Sequence, residues 1–159
     1  MKVIFLDIDG VLNTPSSESR CGEYIGIDDD KVERLKQIVE KTKAEIVLIS
    51  TWKKYWRKEK MLKPLQDYSA NYLDEKLTKQ GLKAIDKTKD KADGRYLSRG
   101  EGILEYIARN KVENYVILDD FQFDYDGLGL TDCLIKTKQA EGLTKAHAEK
   151  ACKILSEQL

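Results

Sequence analysis

A chain of 159 residues that is 41% hydrophobic has enough apolar material for one compact core, and its 28 Lys and Arg balance its 28 Asp and Glu. That neutrality argues against the uniformly basic surface of a duplex-wrapping protein, yet it allows a local basic groove beside a site. One domain over residues 1–159 is expected. The three widely spaced cysteines, Cys21, Cys133 and Cys152, fit neither a disulfide framework nor a zinc site and point to a reducing cytoplasm.

Met1 is soon followed by VIFLDI, an apolar run too short to cross a bilayer and without a secretory cleavage site, so neither a membrane partner nor a targeting segment is expected. Lys2 to Leu6 reads as a buried strand ending in Asp7. Asp28, Asp29 and Asp30 then precede Val32, Leu35, Ile38 and Val39 at helical spacing, with the acids suited to a helix start. Ile46 to Ile49 is a second strand, ending in Ser50 and Thr51. From Trp52 to Leu77 the pattern predicts mainly helix, with Pro64 marking a start or a break.

Gly81 opens LKAIDK, a third strand, and residues 87–96 read as a charged loop around Gly94. Ser98 with Glu101 matches a capping box for a helix carrying Ile103, Leu104, Ile107 and Ala108. YVILDD forms a fourth strand, Leu134 and Ile135 a short fifth, and Thr144 caps a final helix whose apolar face includes Ala151, Ile154 and Leu155. Strands alternating with helices predict a three-layer, Rossmann-like α/β fold with a mainly parallel sheet. Its site belongs at the carboxyl ends of the strands.

Those ends carry acids. Asp7 and Asp9 follow the first strand, and Asp119 and Asp120 end the fourth, so the fold gathers four carboxylates whose mutual repulsion calls for a cation. Hard oxygen ligands that leave room for water and phosphate suit Mg²⁺. A calcium loop is excluded, because the pair follows a buried strand and the bidentate Glu is missing. The single histidine, His147, sits at helical spacing with Ala151 and Ile154 and reads as a packed, hydrogen-bonded side chain. This leaves carboxylate chemistry at the strand ends.

DIDGV, VLIS and YVILDD, in that order and spacing, resemble the first, second and fourth motifs of haloacid dehalogenase-like (HAD) phosphatases. FLDIDGVLN, LISTW, SRGEGI, VILDD and the late GLT look closest to the small capless HAD domains of polynucleotide end repair. The resemblance implies that Asp7 attacks phosphorus to form an aspartyl-phosphate. It implies that Asp9 protonates the leaving group and later activates water. The Asp7 carboxylate, the Asp9 carbonyl and Asp120 would hold Mg²⁺, with Asp119 as an outer-sphere partner. Asp124, four residues past Asp120, holds a metal-bound water or is a solvated loop acid.

Ser50 receives a phosphate oxygen by the same resemblance, with Thr51 the substitute if the strand runs one residue longer. The third motif is commonly a lysine. This chain offers Arg99 just after the capping Ser98, with Lys91 and Arg95 as competitors.

Asn13 to Ile27 occupies the place of a cap domain but is too short to hold a core, so no large cap is expected and the site should be open. In the resembling superfamily capless members often act on macromolecules, so openness favours a nucleic-acid end or a phosphoprotein over a small metabolite, and the resemblance makes an RNA or DNA end the preferred substrate. Asn13, Ser16, Ser17 and Arg20 either contact that substrate or form a surface turn. In Trp52, Lys53, Lys54, Tyr55, Trp56 and Arg57 the preferred reading is an amphipathic helix with its tryptophans in the core, ahead of a stacking surface for single strands. The expected activity is phosphomonoester hydrolysis. The alternatives are a small-metabolite or nucleotide phosphatase and a non-catalytic phosphate- or nucleic-acid-binding module.

Overall fold

A strand whose residues are apolar on both sides is stable only where both sides are covered. In the computed structural model, which describes residues 1–157, that strand is β1 (Lys2–Leu6). In chain order it is followed by β2 (Arg20–Cys21), β3 (Tyr24–Ile25), α1 (Asp29–Thr42), β4 (Glu45–Leu48), α2 (Tyr68–Thr78) and β5 (Ala84–Lys87). Then come β6 (Lys91–Ala92), β7 (Arg95–Tyr96), α3 (Arg99–Arg109), β8 (Asn114–Asp119), β9 (Leu134–Lys136) and α4 (Lys145–Ser156). The main sheet has five strands in the order β5, β4, β1, β8, β9, and every pairing in it is parallel. β1 is central, with Leu6 opposite Leu48 on one side and Leu118 on the other.

Alternation along β1 divides the core in two. Ile4 and Leu6 face a cluster built with α1, α2 and α4, including Leu35, Leu73 and Ala151. Val3 and Phe5 face a second cluster with Ile103 and Tyr106 of α3. Helices therefore cover both faces, as expected of a three-layer α/β fold. Only a hairpin of two-residue strands, β2 and β3, stands where a cap domain would be inserted.

Among the described residues no helix is long and apolar enough to cross a membrane, and all three cysteines are free thiols. Both capping boxes form. Ser98 Oγ accepts from the Glu101 amide at 3.1 Å, and the Thr144 amide donates to His147 Nδ1 at 3.0 Å. His147 is thus a half-buried helix cap.

The Trp52–Leu77 segment differs from the expected helix. It contains 3₁₀ turns at Thr51–Lys53 and Lys60–Leu65, and α-helix begins only at Tyr68. The physical reason is a set of polar contacts that a continuous helix has no way to make. Trp56 Nε1 donates to Asp74 at 2.9 Å, while Gln66 accepts from the Arg57 amide and donates to Asp74. The charged 87–96 loop also contains a structured element, the β6–β7 hairpin, with Asp93 and Gly94 in its turn, both at positive φ.

Trp56 is 1% exposed and fills the space between this segment and α2. Trp56→Ala should lower unfolding free energy by about 3–5 kcal/mol in a urea titration. A loss under about 1 kcal/mol would show that the tryptophan does not hold the core.

Candidate active site

The ladder around β1 continues one residue past its end: the Asp7 amide donates to the Leu118 carbonyl at 2.9 Å, and the Ile49 amide to Leu6 at 3.0 Å. Asp7 and Asp119 therefore leave adjacent parallel strands at one level, and both are buried, with Asp119 wholly inaccessible. Half-buried Asp120 completes a group of three carboxylates whose nearest oxygens all lie within 4.8 Å of one another.

Arg99, the first residue of α3, enters this group. Its Nη1 lies 2.9 Å from Asp119 Oδ2 and 3.3 Å from Asp7 Oδ1, and its guanidinium stacks 4.2 Å from the centroid of the Phe123 ring. The two competitors are engaged elsewhere. Arg95 pairs with Glu101 at 2.9 Å, and the Lys91 ammonium sits 4.5 Å over the Tyr96 ring.

One guanidinium does not balance three carboxylates. Burial first, and then the neighbouring Asp119 charge, push the Asp7 carboxyl up to about 8, with Arg99 opposing them. Burial and Asp119 likewise raise Asp120. Burial works against the Arg99 charge too, but Asp7 and Asp119 outweigh it, so its pKa rises and it stays a cation. The donor set, three convergent carboxylates with uncompensated charge, fits a hard divalent cation.

Asp9 is exposed where Asp7 is buried. Asn13 Nδ2 donates to its Oδ1 at 2.9 Å and Trp52 Nε1 to its Oδ2 at 3.2 Å, which orients the carboxyl at the edge of an open cleft of about 650 Å³. Gly10 follows at φ +80°, and a Cβ there would meet Asp120 Oδ2 at 2.2 Å, so only glycine lets this turn lie against Asp120. Thr137 secures the turn from β9's side by donating to the Gly10 carbonyl at 2.7 Å.

The other candidates have distinct places. Ser50 is buried, and its hydroxyl accepts from the Trp52 amide at 3.2 Å; Thr51 is exposed and lines both the Asp9 cleft and a smaller one beside Arg99. Asp124 accepts from the Ser98 hydroxyl and, at 3.1 Å, from the Gly100 amide, so it binds the start of α3 and lies outside the group of three carboxylates. Ser17 donates to Asp28 at 2.6 Å and is a loop brace, whereas Ser16 and Arg20 are exposed.

Two contributors, Tyr125 and Phe123, have no sequence signal of their own, and Trp52, expected in the core, is only partly buried and faces the site. Tyr125 is fully buried and donates its hydroxyl to Asp119 Oδ2 at 2.7 Å, and burial with that carboxylate raises its pKa so that it stays a phenol. Trp52 reaches Asp9 through its indole N–H. Phe123 adopts φ +43°, uncommon for a bulky residue, and packs beneath Arg99. None follows from periodicity, because each depends on where a loop meets a strand end.

The family model for the HAD domain in Swiss Army Knife RNA repair proteins matches residues 3–148, and the chain belongs to that family. Searches of the curated proteins and of the solved structures each found no match. Membership agrees with the fold, with the absence of a large cap and with a phosphatase-like role.

The raised Asp7 carboxyl makes stability depend on pH. A carboxyl bound more tightly to its proton when folded contributes fully below its ordinary value of 3.8, and that contribution is lost as pH rises to about 8. In metal-free buffer the wild-type protein should therefore lose stability over this interval. Asp7→Asn should flatten the dependence and gain on the order of 2 kcal/mol at pH 8. Urea midpoints that fall in parallel for the two proteins would refute this account.

Proposed function

We propose that this chain is a magnesium-dependent phosphomonoester hydrolase that works through an aspartyl-phosphate on Asp7 and acts on phosphorylated RNA or DNA ends. The observation that carries the reading is the division of labour between two neighbouring carboxyls. Asp7 is buried against Arg99, while Asp9 is exposed and oriented by Asn13 and Trp52 at the cleft. A module that only binds phosphate gains nothing from such a pair.

In this scheme an Asp7 carboxylate oxygen bonds to phosphorus as the ester P–O bond breaks, and the Asp9 carboxyl gives its proton to the departing oxygen. The Asp9 carboxylate then takes a proton from the water that attacks phosphorus. Phosphate leaves and the Asp7 carboxylate returns. Arg99 holds Asp7 and faces the phosphoryl charge, and Ser50 and Thr51, at the end of β4, receive phosphoryl oxygens. The Asp7 and Asp120 carboxylates and the Asp9 carbonyl would hold Mg²⁺, with Asp119 behind them fixed by Arg99 and Tyr125. The ion would offset the negative charge of the carboxylates and the phosphoryl group. Asp124 positions Arg99 by anchoring the first turn of α3.

Nucleic-acid ends are the favoured substrates because the family is that of RNA repair proteins and the cleft at Asp9 has no cap over it. Purified protein should release phosphate from an aryl phosphate and from end-phosphorylated oligonucleotides only with Mg²⁺. Asp7→Asn should abolish release, and Asp9→Asn should slow it by about 10²–10⁴-fold. Undiminished turnover by Asp7→Asn would end the hydrolase reading. Clear preference for a nucleotide or sugar phosphate would end the nucleic-acid reading.

A further inference from the structure

The small cleft beside Arg99, about 330 Å³ in volume, is not closed at its far side. It shares Lys53, Thr88, Lys89 and Asp90 with a second groove of about 670 Å³ that runs over the carboxyl end of β5 to the β6–β7 hairpin. Besides Lys53, this groove is lined by Arg57, Lys58, Lys87, Lys89, Lys91 and Arg109, against the three acids Glu59, Asp86 and Asp90. In a chain whose formal charge is zero, that is a pronounced local excess of cations.

Ion pairing does not consume this excess. Lys53 is buried and pairs with Asp90 at 2.6 Å, Lys58 pairs with Asp86 at 3.2 Å, and Arg109 pairs with Glu105 at 2.9 Å. Among the described residues Arg57, Lys87, Lys89 and Lys91 have no carboxylate within ion-pair distance. Lys87 rests on the Lys53 carbonyl at 2.8 Å, and the Arg57 Nε is buried without a hydrogen-bond partner. Such crowding has a visible cost: burial, with Lys53 and Arg57 nearby, holds the Lys87 ammonium below its usual pKa. At the outer end Tyr96 is 75% exposed, beneath the Lys91 ammonium.

Unpaired cations along a track and an exposed aromatic ring are the two elements by which proteins hold single-stranded nucleic acid. We propose that this groove binds the backbone of a single-stranded polynucleotide and leads it away from the phosphorylated end at Asp7, an inference that rests on the end-phosphatase reading. The small cleft beside Arg99 leads into this groove through Lys89, which lines both, so the first backbone phosphates would meet Lys89 and the next Lys91, with a base against Tyr96. A duplex would need a broad basic face, and the formal charge of zero argues against one.

The test is binding of a short fluorescent, unphosphorylated oligoribonucleotide, followed by anisotropy over a range of salt. The wild-type protein should bind, with affinity falling as salt rises. Lys89→Gln/Lys91→Gln should bind roughly tenfold more weakly, with a log–log salt slope shallower by about 1.4 for two lost phosphate contacts on a single strand. Its thermal melting should be unchanged. Lys41→Gln/Lys153→Gln, which removes the same charge from exposed positions on α1 and α4, should bind like wild type.

The groove is overturned if wild type does not bind, if the Lys89 and Lys91 substitutions leave binding unchanged, or if the α1 and α4 control loses as much. Equal affinity for an acidic peptide would overturn the assignment to nucleic acid. Binding as expected with no phosphate released from an end-phosphorylated strand supports the groove while refuting the end-phosphatase reading, so the two fail separately.

Discussion

Two carboxylates, Asp7 and Asp119, are placed side by side in the interior with one guanidinium between them, and much of the site follows from that juxtaposition. Parallel register produces it: Leu6 lies opposite Leu118, so each acid emerges one residue later at the same edge. Leaving buried carboxylates unpaired costs several kcal/mol. The surroundings accordingly concentrate hydrogen-bond donors on them, with Arg99 reaching both and with Tyr125 and the Phe121 amide on Asp119, while the Asp7 amide is held by donating to the Leu118 carbonyl. Even so the charge is not balanced, which is the usual condition of a site whose stability is subordinate to its chemistry.

The parts of this arrangement legible in the sequence were those dictated by short-range rules. A fully apolar strand must be central, acids just after parallel strands must gather at one edge, and Ser98 with Glu101 must start a helix. Together these rules place Asp7, Asp119, Asp120 and Arg99 near one another. The fold sets Arg99, at the start of α3, beside Asp7 and Asp119, whereas Lys91 and Arg95 lie on the β6–β7 hairpin and contact Tyr96 and Glu101.

What was not legible depended on contacts distant in sequence. The pattern after Thr51 suggested mainly helix with a start or break at Pro64, yet Asp74 and Gln66 draw Trp56 and Arg57 into an irregular path. Strands of two residues, as in both hairpins, are too short to show alternation. Asp124, which the sequence left as a holder of metal-bound water or a solvated loop acid, has hydrogen-bond partners, Ser98 and Gly100, that only the fold brings to it. The basic groove was hidden by averaging, since its cations are drawn from Lys53 to Arg109 and are offset in composition by acids located elsewhere.

The central position of β1 has a consequence for how the molecule assembles. Within this domain β1 acquires its second neighbour only when β8 exists, and the turn after it is pinned by Thr137, 127 positions after Gly10. Contacts of that range are slow to form, because loop closure must precede the burial that rewards it. A growing chain therefore carries this apolar strand without its full cover over the whole span from β1 to β8. The acidic edge of the sheet is complete only once β8 has formed, and until then the interior is open to mispairing and to chaperones.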